Sequence, residues 1–382
     1  MNKLHLLLFA GLAIAVGCRK SNVENKDLRD FVQVNLVDNN GEYNATHTDA
    51  TLMNAWGLAF SSGGTPWVNS MVGHISEVYT SEGALVPARP AVHIPSPVDT
   101  VGGLPTGVVF AGGKGFRLPN GVAANFIFVG VDGVLSGWNG PAGNNAIRLK
   151  NLSATSSFTG LAISSWGTNN YIYAADFKGG RIVVWDTGFA KVNMPFHDPG
   201  IPSGYSPFNI QAIGSWLFVT YAKVGPDGED QAGAGNGFVS IFKADGSFVS
   251  RFASRGPLNS PWGVAAAGGS FLDDNDMMDG DDSGHDKGGS GNSGRNGHDD
   301  NGHHHLDSVM LVGNFGDGTI NAYGLNGQFL GKLQSHKRPI VIEGLWALSF
   351  PPTTSTIDQS RLYFTAGPDD EKDGLFGYLK KQ

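Results

Sequence analysis

Two series of oxygen-bearing side chains recur along the 382-residue chain at fixed places relative to its apolar runs. Asn54, Thr106, Thr159, Asn209, Asn259 and Glu343 stand at or just ahead of the start of six similar apolar segments. Asn69, Asp132, Asp176, Asp227, Glu229, Asp230, Asp317, Asp369, Asp370 and Glu371 fall about one strand later, at turns. Gathered around one opening, such carboxylates and amides suit a hard cation such as calcium, or a polyol. Lys178, Arg181 and Lys223 partly balance the charge. The competing reading is structural. Asparagine at a turn commonly hydrogen-bonds backbone, and Asn54, Asn209 and Asn259 fit that role too.

A second concentration of chemistry lies at 273–307, where ten aspartates face Lys287 and Arg295 and five histidines gather. Its net charge equals the formal −8 of the whole chain, so the remainder is neutral overall. Such a segment has too little apolar surface to offset the entropy of ordering, and disorder is expected. Asp279-Gly-Asp281-Asp-Ser283-Gly284 resembles the opening of a calcium loop, but Ser290 stands where the twelfth-position acid belongs. The histidines suit loose binding of zinc, nickel or copper. A solvated insertion without a ligand explains the same composition.

Other signatures are missing. The chain has no Gly-x-Ser-x-Gly elbow, no His-Glu-x-x-His and no phosphate loop. The acidic balance and the lack of a basic stripe exclude nucleic acid as a partner.

The elements that would position the two series are strands. Six apolar runs begin at 56, 106, 159, 208, 262 and 346, a spacing near fifty residues that only the 273–307 insertion interrupts. A unit of that size holds about four short strands and cannot bury both faces alone. Radial arrangement solves this, which predicts an all-β, six-bladed β-propeller over 31–382. In such a blade the start of the inner strand and the turn after the second strand share one face, so both series converge there. Trp138, Trp185, Phe242 and Tyr323 are expected to fill space between blades. The last blade lacks its outer strand, while Phe31–Val37 is strand-like and unpartnered. Pairing the two closes the ring non-covalently and satisfies an exposed edge.

Residues 1–18 read as an export signal, with one lysine, an apolar stretch from Leu4 to Val16 and small residues before Cys18. Ala15-Val-Gly-Cys18 resembles a lipoprotein lipobox, which would place a lipid on Cys18; an ordinary cleaved signal is the alternative. Cys18 is the only cysteine, so disulfides within the chain are excluded. Residues 19–30 are polar and suit a tether to a membrane. The expected location is exported, in a cell envelope.

Several strings resemble an uncharacterised family of exported bacterial proteins. They include Pro257-Leu-Asn-Ser-Pro-Trp-Gly-Val264, Leu311-Val-Gly-Asn-Phe-Gly-Asp-Gly318 and Leu362-Tyr-Phe-Thr-Ala-Gly-Pro-Asp-Asp-Glu371. Some members of that family carry an exosortase-type sorting tail, which this chain does not show. Asp176 before Gly180-Arg-Ile182 and Asn314 before Gly318-Thr-Ile320 resemble the turns of NHL-type propellers. Glu343-Gly-Leu-Trp346 resembles the Glu-Gly-x-Trp opening of gluconolactonase-type propellers, which hold a divalent cation in the pore. That resemblance implies Glu343, Asn209 and Asn54 as metal ligands. Two functions follow as expectations. One is a lipid-anchored binding module that takes an envelope protein, a glycan or a small molecule on the polar face, with Asn54, Asn209, Asn259, Asp176, Asn314 and Asp369 on that face. The other is a metal-dependent hydrolase or lyase, lactonase-like, acting in the pore.

Overall fold

A computed structural model describes residues 28–272 and 308–382. The signal segment 1–18 with Cys18, the tether as far as residue 27 and the insertion 273–307 lie outside the described residues. The expected architecture is present: six small antiparallel sheets stand around a common axis as a six-bladed β-propeller. Blade one runs from Ala55–Phe60 through Pro66–Ser70 and Ile75–Val78 to Val92–His93. The inner strands of blades two to six are Pro105–Phe110, Phe158–Trp166, Tyr205–Ile213, Pro261–Ala267 and Leu345–Ser349.

Sheets twist because L-residues favour a right-handed strand, and stacking twisted sheets face to face around an axis buries both faces of each. The apolar clusters accordingly lie between blades. Trp138 packs with Trp67, Phe126 and Phe128 between blades one and two. Trp185 joins the cluster of blades two and three, Phe242 that of three and four, and Tyr323 that of four and five. The four aromatics thus occupy the places expected of them.

One irregularity repeats in every blade. Pairing between inner and second strands slips at Ala55/Leu58, Pro105/Val108, Phe158/Gly160, Pro207/Asn209, Pro261/Val264 and Leu345/Leu348. A bulge bends a strand and re-aims its side chains, here bringing Trp56, Thr159, Phe208 and Trp346 to line the axis. The glycine that follows is required by its neighbour. A Cβ on Gly57 would lie 2.0 Å from the Thr106 carbonyl oxygen, and one on Gly263 2.7 Å from that of Trp346. In blade four the same position holds Asn209, and its amide donates to the Trp262 carbonyl of blade five at 2.9 Å.

The ring closes as the unpaired edges require. Phe31–Asp38 adds to the last blade as its outer strand, antiparallel to Leu375–Lys381, with Phe31 opposite Lys381 and Asp38 opposite Leu375. Asp38 is buried at the end of this strand, and its carboxylate accepts the Gly41 and Tyr43 amides and the Thr48 hydroxyl.

Candidate functional site

On the face where the inner strands begin, the axis opens into a cavity of ≈ 520 Å³. Its buried lining is aromatic: Trp56, Phe177, Phe208 and Trp346. Trp346 is sandwiched, with Trp56 stacked on one neighbour position at 3.5 Å between centroids and Phe315 stacked at 4.0 Å. Trp56, Phe177, Phe208, Trp262 and Trp346 pack as one buried cluster with Phe315 against it, and this aromatic group is the floor of the mouth.

The rim is charged, and two turns supply most of it. The long connection between the second and third strands of blade four brings in Asp227, Glu229 and Asp230. It folds back as a tight turn in which the Gly225 amide donates to the Glu229 carbonyl at 2.7 Å and Gly228 adopts φ +90°. Such a backbone favours glycine. Blade six supplies Glu371 from a turn in which Asp369, Asp370 and Glu371 all have positive φ, between 52° and 65°. Three successive left-handed residues carry real strain, roughly 1 kcal/mol or more each. Neighbours hold them: Asp373 just beyond accepts from Tyr43, Asn39 and Asn40, and the Asp369 amide donates to Glu343 at 3.2 Å.

Burial and mutual repulsion shape the acids. Burial, with Glu229 and Asp227 close by, pushes Asp230 up to about 6. Burial also raises Glu371; the Asn54 amide opposes the shift, and the charges of Asp230, Glu229 and Asp370 add to it. Lys178, exposed on the blade-three turn, is the cation of the lining. Three polar atoms on the wall are unserved, Asp230 Oδ2 among them. Trp56 and Thr159 are 4% and 5% exposed, yet Trp56 Nε1 and Thr159 Oγ1 have no hydrogen-bond partner. By contrast Trp262 Nε1 donates to the Thr159 carbonyl at 3.0 Å, and Trp346 Nε1 donates to Asn54 Oδ1 at 2.8 Å.

The structure brings part of the two series together and places the rest elsewhere. Thr159, Asp227, Glu229, Asp230 and Glu371 line the cavity. Asn54 lies behind it, donating to Glu371 Oε2 at 2.7 Å. Asp176 fixes the turn that presents Phe177 and Lys178, through the Ser157 and Gly179 amides, the Ser156 hydroxyl and Arg181. Asn259 accepts the Gly233 amide, and Asn314 donates to the Pro257 carbonyl. Asp369 is exposed and pairs with Lys372 at 3.3 Å. Glu343, Asn209 and Asn54 each engage different partners: the Asp369 amide, the Trp262 carbonyl, and the Glu371–Trp346 pair. Among the described residues no three His, Cys, Asp or Glu side chains are grouped so as to hold a metal ion. The aromatic floor is what the residue types alone did not reveal, although tryptophan at 56, 262 and 346, each opening an inner strand, was its signal.

No protein-family model matches the chain. It is 30% identical over 366 residues to uncharacterized protein R648 of Acanthamoeba polyphaga mimivirus, covering 91% of this chain and 80% of that one. Uncharacterized protein L690 of the same virus is 31% identical over 388 residues, with 91% and 86% covered. Among solved structures the chain is similar to a streptogramin B lyase, at 11% identity and TM-score 0.49, covering 92% and 97% of the two chains. It is also similar to the gluconolactonase XC5397 of Xanthomonas campestris, at 14% identity and TM-score 0.43, covering 86% and 88%. At such identities no activity carries over.

Proposed function

The chain belongs to the family of those two mimivirus proteins, and we propose that it is a binding propeller whose floored mouth takes a small polar ligand. One observation carries this reading: Trp56 Nε1 and Thr159 Oγ1 are buried at the wall of the cavity without a partner. An unserved buried polar group costs about 1–3 kcal/mol. A ligand that offers acceptors to both recovers that cost, and the aromatic floor adds apolar contact. The test is a screen of sugars, polyols, amines and carboxylates, read by the indole N–H resonance of Trp56. A ligand shifts that resonance, and Trp56→Phe weakens its binding while the fold persists. A screen that moves no resonance of the mouth overturns the reading.

The same proposal places the protein outside the cytoplasm, held to a membrane by a lipid on Cys18, as the lipobox-like Ala15-Val-Gly-Cys18 and the resemblance to exported bacterial proteins suggest. Its ligand would then come from the envelope, as a glycan, a protein segment or a free small molecule. Cys18→Ser is expected to move the protein from the membrane to the soluble fraction and to abolish labelling by palmitate.

A second reading, a hydrolase or lyase working in the same mouth, is favoured by the raised affinities of Asp230 and Glu371 for protons. A carboxyl poised near neutrality beside an ionised one is what acid–base catalysis needs. Turnover of a mouth ligand, lost in Asp230→Asn, would establish it.

A further inference from the structure

Resting on the binding reading, we infer that the mouth selects ligands carrying an amine. An ammonium group sits between the carboxylates of Asp230 and Glu371 above the aromatic floor, on a scaffold whose oxygens meet Trp56 Nε1 and Thr159 Oγ1.

The charge of the lining argues first. Asp227, Glu229, Asp230 and Glu371 face Lys178 alone, so the cavity is strongly negative with all its acids ionised. An anionic ligand is repelled. A neutral polyol serves Trp56 Nε1 and Thr159 Oγ1 but leaves the repulsion among the carboxylates untouched. A calcium ion needs six to eight oxygens at roughly 2.3–2.6 Å, and among the described residues no three His, Cys, Asp or Glu side chains are grouped to anchor one. Dispersed negative charge matches an organic cation, which spreads its own charge over a larger volume.

The floor argues in the same direction. Trp56, Phe177 and Phe208 line the cavity beneath the acids, and an ammonium group is drawn to aromatic faces, most of all once shielded from water. The strained turn at Asp369–Glu371 supplies the third argument. Left-handed conformation at three non-glycine residues is kept because the surroundings over-determine it, and its effect is to hold Glu371 at the cavity wall.

Proton linkage follows from the same geometry. The groups that bear on Asp230 are Asp227 and Glu229 on its own turn; Glu371, with Asp370 beside it, comes from blade six and Lys178 from blade three. A bound cation favours the ionised acids, so binding expels the proton that Asp230 holds near pH 6. Affinity is then full above that pH and lost below it, about tenfold per pH unit for one excluded proton.

The experiment compares matched probes on the full chain by calorimetry and tryptophan fluorescence: 1-amino-1-deoxysorbitol against sorbitol, and choline against 3,3-dimethylbutan-1-ol. The charged member of a pair is expected to bind at least tenfold more tightly than its neutral twin at pH 7.5 and to weaken by pH 5. Glu371→Gln and Asp230→Asn each reduce the preference about tenfold with unchanged circular dichroism. Two variants guard against a folding failure in either. Equal affinities within both pairs overturn the amine and leave ligand binding intact. A preference that survives both variants places the cation elsewhere and overturns the site. If none of the four probes binds, the amine inference falls, and the indole N–H screen decides the binding reading separately.

Discussion

Asn54 and Glu371 are 317 residues apart in sequence, and the amide of the first donates to the carboxylate of the second at 2.7 Å. The same amide accepts the indole N–H of Trp346 at 2.8 Å. One side chain at the start of blade one therefore ties the rim of the mouth to its floor, across the seam where the ring closes.

Replacing that amide has two expected effects. In Asn54→Leu the donor that opposes the burial of Glu371 is gone, so the carboxyl titrates at higher pH than in the parent. Trp346 Nε1 loses its acceptor, which costs about 1–3 kcal/mol of stability. Urea unfolding reads the second effect and carbon-13 titration of Glu371 the first. An unshifted titration would show that the bond does not govern the acid.

Asp230 carries a pH signature with a definite sign. Its folded value of about 6 lies above the ordinary aspartate value. The native state therefore holds a proton that the unfolded chain has released, and this group's contribution to stability falls as pH rises from about 4 to 6. Asp230→Asn removes the ionised carboxylate and is expected to stabilise the protein at pH 7.5 by about 1–2 kcal/mol. Little change is expected at pH 4.5. Thermal melts at the two pH values test this; equal shifts at both would contradict it.

The bulge glycines predict sharp intolerance. In Gly57→Ala the new methyl meets the Thr106 carbonyl oxygen at 2.0 Å, backbone that cannot swing aside. A loss of about 2–3 kcal/mol or failure to fold is expected. Gly268→Ala is the control, since nothing lies within 4 Å of its Cβ and its φ is ordinary. Comparable losses in both would refute the packing argument.

The closing strand is held by more than its ladder. Phe31 is fully buried and stacks on Phe271 at 4.8 Å. Phe31→Ala is expected to cost about 3–5 kcal/mol. It should also speed proteolysis in the first and last strands ahead of the rest, as mass spectrometry of early fragments would show.

The ring was legible because its cause is written locally. Tryptophan or threonine before glycine marks the bulged inner strand in four of the six blades, with Phe208-Asn209 and Trp346-Ala347 at the same place in blades four and six, and the unmatched Phe31–Val37 run points to the unmatched last blade. The site was legible only by half. Thr159, Asp230 and Glu371 belong to the series that share a face, and that placement follows from blade topology. Which members turn inward does not. Asn209 takes the bulge position that glycine holds in four other blades, and Asn259 precedes its inner strand; adjacent blades draw both amides into backbone bonds, with the Trp262 carbonyl of blade five and the Gly233 amide of blade four. Floor and rim acquire their character from contacts between blades far apart in the chain, as Trp346 between Trp56 and Phe315 illustrates.

The register at the seam gives the ring a front and a back. Phe31 pairs with Lys381 at the end of the last blade remote from the mouth, and Asp38 with Leu375 at the near end. The inner strand of blade five also leaves toward the back, into Gly269–Leu272, where Phe271 meets Phe31. Leu28 and Leu272, the described residues that border 1–27 and 273–307, thus lie in one buried cluster at the rear of the ring. Anything that holds the chain upstream of Leu28 grips it from behind, and the opening is presented to whatever approaches from the other side.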